Sequence, residues 1–326
     1  MKTYSLTAAK QRGMAIISAL LIAAVVAVIA GGMLTRQTVF TRSLEAEQSR
    51  VQGAWVLHGG IEISRQLLRE ARQRDPLTRL DQPWAQPIVM SPLGAPTFDG
   101  RLEDEQGKFN LRNLIANERI DDEQLRNFQR LCELIGIDAT VSQRISQRVI
   151  AAYPRVLNPG LADKAPLSSG LNSGRGTSPT AVRQPQAATR PMLRSVEDLR
   201  GVEGVTETLL AKLSPFITVL PANTWLNGNT ASAQVLAAYV PGLSIELARA
   251  LVAERDGGQW FINRGDFVNR LRMPELELTT IKVGITSDWF RLHGQARSER
   301  QRVSLEALLQ RSEDRLPQVI WSRVGV

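Results

Sequence analysis

Cysteine and histidine are nearly missing from this 326-residue sequence, which holds one cysteine, Cys132, and two histidines, His58 and His293. A single cysteine closes no internal disulfide and builds no Cys-rich zinc site. Two histidines far apart in the chain leave almost no material for metal or triad chemistry based on imidazole. No segment offers a nucleophile, a base and an orienting group together, so a membrane-anchored periplasmic enzyme ranks last among the readings and the chain is expected to be no enzyme.

Charge of one sign is also scarce. Forty Lys and Arg against 32 Asp and Glu give +8, but the excess is spread thinly: 14 basic and 10 acidic residues in 1–116, 18 and 17 in 117–279, 8 and 5 in 280–326. Lys2, Lys10 and Arg12 supply most of the first surplus and precede an apolar run. A scattered surplus is an ordinary solvated surface rather than a nucleic-acid footprint.

What the sequence does have is a run, residues 13–35, without one charge in 23 positions. At about 1.5 Å per residue it spans roughly 34 Å as a helix, enough to cross a bilayer through Met14, Ile22, Val28 and Leu34. The basic residues ahead of it place the N-terminus in the cytoplasm and the rest of the chain outside. A secretory signal peptide, cut after Val28-Ile29-Ala30 and before Gly31, competes with this reading, but its apolar core is normally about 7 to 15 residues.

Past the span, Ala54, Leu57, Ile61 and Leu68 recur at helical spacing, predicting a helix to about Asp75-Pro76 with a small sheet as its natural partner. Residues 87–90 and 101–105 read as strands. Gln106-Gly107 reads as a turn before Lys108-Phe109-Asn110-Leu111, with Asp104 and Glu105 on a solvated hairpin corner. Asp121 or Asp122 caps a helix carrying Leu125, Phe128, Leu131, Cys132 and Ile135 to a stop at Gly136, and a second helix follows from Asp138. Cys132 sits on that apolar stripe, a small hydrophobe rather than a nucleophile.

Residues 158–191 break the pattern: 18 of these 34 are Gly, Pro, Ser, Thr or Asn. They read as a flexible loop. Helical patterning returns at Ser195-Val196-Glu197-Asp198, a capping box by composition. Two apolar-Gly-apolar turns follow, at Gly201 and Gly204 and again at Gly242, each ahead of a helix; they resemble tandem helix-hairpin-helix or SAM-like units. Such hairpins can aim backbone N–H groups at phosphate. The Pro241-Gly242-Leu243-Ser244 turn lacks a second glycine and the local charge is balanced, which favours packing or protein contact over DNA. Residues 283–292, 302–309 and 318–321 read as three closing antiparallel strands.

The residues Gly13-Met14-Ala15-Ile16-Ile17-Ser18 resemble the processing site of type IV prepilins and pseudopilins, with cleavage between Gly13 and Met14. Most of those proteins carry a glutamate where Ser18 stands, and its absence is characteristic of the K minor pseudopilins of type II secretion. Further matching stretches are Asp104-Glu105-Gln106-Gly107-Lys108-Phe109-Asn110-Leu111, Ser195-Val196-Glu197-Asp198-Leu199, Asn227-Gly228-Asn229-Thr230-Ala231-Ser232 and Ile285-Thr286-Ser287-Asp288-Trp289-Phe290. In that order they make the chain similar to the K family over nearly its whole length.

The resemblance implies an α+β pseudopilin fold: a leader (1–13), a transmembrane part (14–35) and a periplasmic part (36–78) of one N-terminal helix, packed on a small antiparallel sheet in an α/β head (79–116 and 280–326). A large all-α, SAM-like insertion (117–279) containing the 158–191 loop interrupts that head. It implies a single-pass protein of the bacterial inner membrane, N-terminus cytoplasmic and head periplasmic, processed by prepilin peptidase and N-methylated. Its implied partners are the I and J minor pseudopilins, the major pseudopilin and the inner-membrane assembly platform, with the secretin and secreted clients beyond. Its implied role is to start and cap the pseudopilus and so support export of folded proteins. The alternative is a DNA-binding minor pilin of a competence or type IV pilus system. The family also implies calcium after the second helix; there this chain has Ala151-Ala152-Tyr153-Pro154-Arg155-Val156-Leu157 and then Asp163 as the loop's one acid, so no cofactor and no metal ligand are assigned.

Overall fold

The computed structural model describes residues 10–91, 96–156, 186–276, 281–297 and 302–325. Its first element, α1 (Lys10–Arg74), is one continuous helix of 65 residues, roughly 100 Å long. Arg72 and Arg74 in its last turn complement the helix dipole, and Pro76 prevents continuation. The two halves of α1 differ. Up to residue 45 every described side chain of the helix is exposed, whereas from Gly53 one face is buried through Leu57, Gly60, Ile61, Ser64, Leu68 and Ala71. Ala54, expected on that stripe, points to solvent; Gly53 and Gly60 take the face instead, and at Gly60 the Phe98 ring leaves no room for a side chain.

That sheet has five antiparallel strands in the order β1 (Ile88–Met90), β2 (Thr97–Asp104), β9 (Trp289–Arg297), β10 (Arg302–Gln310) and β11 (Gln318–Gly325). Register places Leu102 opposite Leu292 and Gly100 opposite Gly294. Alternation therefore turns Phe98, Leu102, Leu292, Ala296, Leu305 and Ala307 onto α1, where they form one apolar core with Leu57, Ile61, Leu68 and Trp84. Phe98 is fully buried in a cradle of glycines: a Cβ added to Gly60, Gly100 or Gly294 would lie 2.3, 2.6 or 2.7 Å from its ring. The expected strand over 283–292 is two strands, β8 (Val283–Gly284) and β9, broken where Ile285 O accepts from Thr78 N and Ser287 N donates to Thr78 Oγ1.

A second apolar core belongs to the helices. They are α2 (Asp122–Leu134), α3 (Ala139–Ile150), α4 (Glu207–Leu213), α5 (Ala233–Tyr239), α6 (Ile245–Asp256) and α7 (Arg264–Leu271). Each starts where a side chain can accept an orphan backbone N–H: Asp121, Asp138, Thr206, Ser232, Ser244 and Asn263 in turn. Phe109, Leu111, Leu114 and Ile115 pack into this helical core, ahead of residue 117.

The helical part is not all-α. Short pairs stitch its connections: β3 (Phe109–Asn110) runs parallel to β6 (Ile217–Thr218), β7 (Leu226–Asn227) parallel to β8, and β4 (Ile115–Ala116) turns back on β5 (Arg119–Ile120) through Asn117 and Glu118 at positive φ. Segments that run side by side in a buried place pair because their backbone groups need partners. The pairing of β3 with β6 also removes the expected hairpin between β2 and residues 108–111. Within the loop expected at 158–191, residues 158–185 lie outside the described residues, and Thr189 and Arg190 donate from their backbone to Ala151 O.

Candidate assembly site

Helix α1 buries none of the apolar run from residue 14 onward against the other described residues. Met14, Ile22, Val28 and Leu34 are between 62% and 75% exposed, and the run is long and apolar enough to cross a membrane. Ser18 Oγ donates to Met14 O at 2.8 Å, so the hydroxyl is satisfied by its own helix and needs no neighbour, as a buried carboxylate would. Gly13 and Met14 lie within the helix, which is unbroken across them; residues 1–9 lie outside the described residues. Beyond the span, Phe40, Leu44, Val51 and Trp55 stay exposed on the side of α1 away from the sheet.

The hairpin glycines divide. Gly204 and Gly242 have φ of +89° and +81°, a left-handed conformation that glycine adopts without strain. A Cβ on Gly204 would meet Val141 at 3.1 Å and one on Gly242 would meet the end of the Met273 side chain at 3.0 Å. Around Gly242, Arg130 donates to Val240 O and Leu243 O. Gly201 ends a 3-10 turn (Val196–Gly201) and has open space around it. The Ser195 capping box is present, Asp198 Oδ2 accepting from Ser195 N.

Sequence reasoning misplaced the most demanding residues of the fold. Asp104 and Glu105, expected on a solvated corner, are 5% and 0% exposed. Asp104 Oδ2 accepts from Thr230 Oγ1 at 2.6 Å, Ser287 Oγ at 2.6 Å and Asn227 Nδ2 at 3.0 Å, while Oδ1 takes Gln106 N at 2.9 Å. Burial still pushes its pKa up against all four bonds. Glu105 is held by Lys108, Arg291 and the Thr218 hydroxyl. Gln106 joins in through Asp288 N and Trp225 O. Three separate stretches that carry the family resemblance thus meet at one polar junction between sheet and helices. Their local composition offered a clue, since Asn227-Gly228-Asn229-Thr230 and Thr286-Ser287 are dense in short donors.

Arg311 closes the junction from the end of β10. It is 2% exposed, donates to Thr78 Oγ1 at 2.6 Å and lies over the Phe290 ring at 4.9 Å. Burial and the like charge of Arg72 bring its pKa down to about 10. The junction is a fully buried joint, so its chemistry is positional: it fixes the helical part on the sheet.

No three His, Cys, Asp or Glu stand together among the described residues. Where the resemblance implies calcium, the described residues 151–156 contain no acid, and Arg155 Nη1 donates to Ile150 O while Arg112 lies over the Tyr153 ring at 4.1 Å. Those cations do not fit a calcium site. Cys132 is buried, its thiol pushed up to about 12 by burial. His58 is exposed on α1, and His293 stands 3.6 Å from Glu103 on the outer face of the sheet.

Known proteins share this organisation. Two family models, both described as type II secretion system (T2SS), protein K, match residues 107–222 and 226–286, more than half of the chain. Type II secretion system protein K of Pseudomonas aeruginosa is 27% identical, the match covering 93% of this chain and 90% of that protein. Its namesake from Pectobacterium carotovorum subsp. carotovorum is 26% identical over 86% and 87%. A chain in the crystal structure of the GspK-GspI-GspJ complex from the enterotoxigenic Escherichia coli type 2 secretion system has the same fold, with a TM-score of 0.64, 18% identity and coverage of 86% of this chain and 99% of that one. This chain belongs to the type II secretion system protein K family.

Proposed function

We propose that the chain is a minor pseudopilin that sits at the tip of the type II secretion pseudopilus with the I and J minor pseudopilins, starting and capping the fibre and so supporting export of folded proteins. The observation that carries this is the division of α1 into an apolar half that is exposed among the described residues and a half packed on a sheet. The first half is a membrane anchor before assembly, cytoplasmic at its start and periplasmic beyond Arg36. Cleavage between Gly13 and Met14 by prepilin peptidase leaves that half at the start of the mature chain. The solved GspK-GspI-GspJ complex supports the choice of partners, and the exposed Phe40, Leu44, Val51 and Trp55 give α1 an apolar side for neighbouring helices.

The helical part, residues 117–279 by periodicity and including Phe109 to Ile115 by packing, is a SAM-like body inserted in the pseudopilin head. Its bulk on a slender helix suits a terminal position, since it would obstruct a subunit stacked above. The role is structural rather than enzymatic. DNA binding by the hairpins is disfavoured by the balanced charge of residues 117–279, 18 basic against 17 acidic.

A photocrosslinking amino acid in place of Trp55, in cells that express the whole secretion system, tests the placement. Crosslinks to I or J support it. Crosslinks to the major pseudopilin alone, or an assembled fibre with subunits above this one, contradict it.

A further inference from the structure

Three arginines line a groove beside the first hairpin. Arg144 and Arg148 come from α3 and Arg190 from the segment after the loop, with Ala151, Val202 and Glu203 among the other lining residues of a space of about 470 Å³. Glu203 is the lining's only acid, 83% exposed, and Arg144 reaches it at 3.6 Å. The Arg190 side chain has no hydrogen-bond or ion-pair partner among the described residues. Arg148 Nη1 is shut off from solvent with no acceptor, so this guanidinium lacks a bond where it stands. Gly201 borders the same groove, and a Cβ added to it would meet no described atom within 4 Å.

The surplus is local. Residues 117–279 hold 18 basic and 17 acidic residues, yet this groove gathers three cations against one acid. We propose that the groove binds an acidic peptide segment of a partner protein, with the guanidinium groups of Arg148 and Arg190 taking its carboxylates. A guanidinium presents donors in a planar fork that matches a carboxylate with two bonds, and a carboxylate drawing Arg148 slightly outward supplies the acceptor it lacks. Nucleic acid fits less well: a duplex presents a charge about every 1.7 Å and requires a long cationic track, whereas this groove offers three cations. The groove is remote in sequence from α1 and its contact is independent of membrane anchoring.

The test is fluorescence anisotropy with the purified full chain in detergent, at low salt. The probes are a short fluorescein-labelled peptide rich in glutamate, the same peptide with glutamine, and a labelled single-stranded DNA. The glutamate peptide is expected to bind at least about tenfold more tightly than the glutamine one, a preference of about 1.4 kcal/mol. Arg148→Gln with Arg190→Gln should bring the ratio to within about twofold. Arg190 is exposed, so Arg190→Gln alone tests the site without risk to folding and should remove about half of the preference in free energy. Equal binding of the two peptides, a preference that survives the double substitution, or tighter binding of the DNA than of the glutamate peptide would each overturn the proposal.

Discussion

The side-chain amide of Asn227 donates to the Asp104 carboxylate at 3.0 Å across 123 residues of chain, joining the helical part to the end of strand β2. Removing the carboxylate takes the acceptor from Gln106 N and from the Ser287 hydroxyl, while Asn227 Nδ2 keeps Thr78 O and Ser287 Oγ and the Thr230 hydroxyl keeps Asn227 O at 3.5 Å. Each unsatisfied buried group costs about 1–3 kcal/mol. Asp104→Ala is therefore expected to destabilise the protein by about 3 kcal/mol or more in urea unfolding, and Thr230→Val by about 1 kcal/mol. A cost for Asp104→Ala below that of Thr230→Val would show that the junction does not hold the two parts together.

Two neighbouring carboxylates should respond to acid with opposite sign. Burial opposes ionisation of Glu103, but His293 at 3.6 Å and the charge of Lys108 hold its pKa down at about 2. Its contribution is therefore present above the unfolded value of 4.5 and lost as pH falls from there toward 2. The side chain is 40% exposed, so screening keeps this to about 1 kcal/mol at most. Asp104 is shifted upward by burial, so what it contributes is greatest below 3.8 and declines as pH rises through its folded value. Stability measured from pH 6 to pH 2.5 should fall less steeply in Glu103→Gln than in the parent; an unchanged slope would remove Glu103 from the account.

Adjacent glycines in α1 should behave differently. At Gly60 a methyl group would stand 2.3 Å from the Phe98 ring, whereas at Gly59 it meets nothing within 4 Å. Overpacking of a filled core costs about 1–3 kcal/mol, and alanine gains up to about 1 kcal/mol over glycine inside a helix. Gly60→Ala should lower Tm and Gly59→Ala should leave it unchanged or raise it. Equal effects would mean that the Phe98 cradle is loose.

Cys132 offers a clean probe of the helical core because it is the chain's only cysteine. Burial pushes its thiol up to about 12, leaving little thiolate at neutral pH. Maleimide labelling at pH 7.5 should be negligible for the folded protein and complete in urea. Rapid labelling without denaturant would contradict the packing of α2.

The helices were legible in the sequence because their signals are local. Asp121 and Asp138 cap the helices expected of them, Gly136 follows the end of α2, and the long apolar run is one helix with the segment after it. The burial of Asp104 and Glu105 was not legible, since their donors come from residues 218, 227, 230, 287 and 291. A carboxylate pair next to a glycine reads as a surface turn until distant partners are known. The same holds for the break at 285–287, set by contacts with Thr78, and for Gly60, whose place on the buried face depends on how closely Phe98 of the sheet approaches. In the site itself the apolar run was visible at once, whereas the groove of Arg144, Arg148 and Arg190 exists only where α3 and the residues after the loop meet.

The central claim is that α1 is the processed helix of a pseudopilin, and the N-terminus of the mature protein tests it most directly. Mass spectrometry of protein purified from inner membranes should find a chain that begins at Met14, N-methylated on that residue. A chain beginning at Gly31, or an intact Met1, would contradict the account.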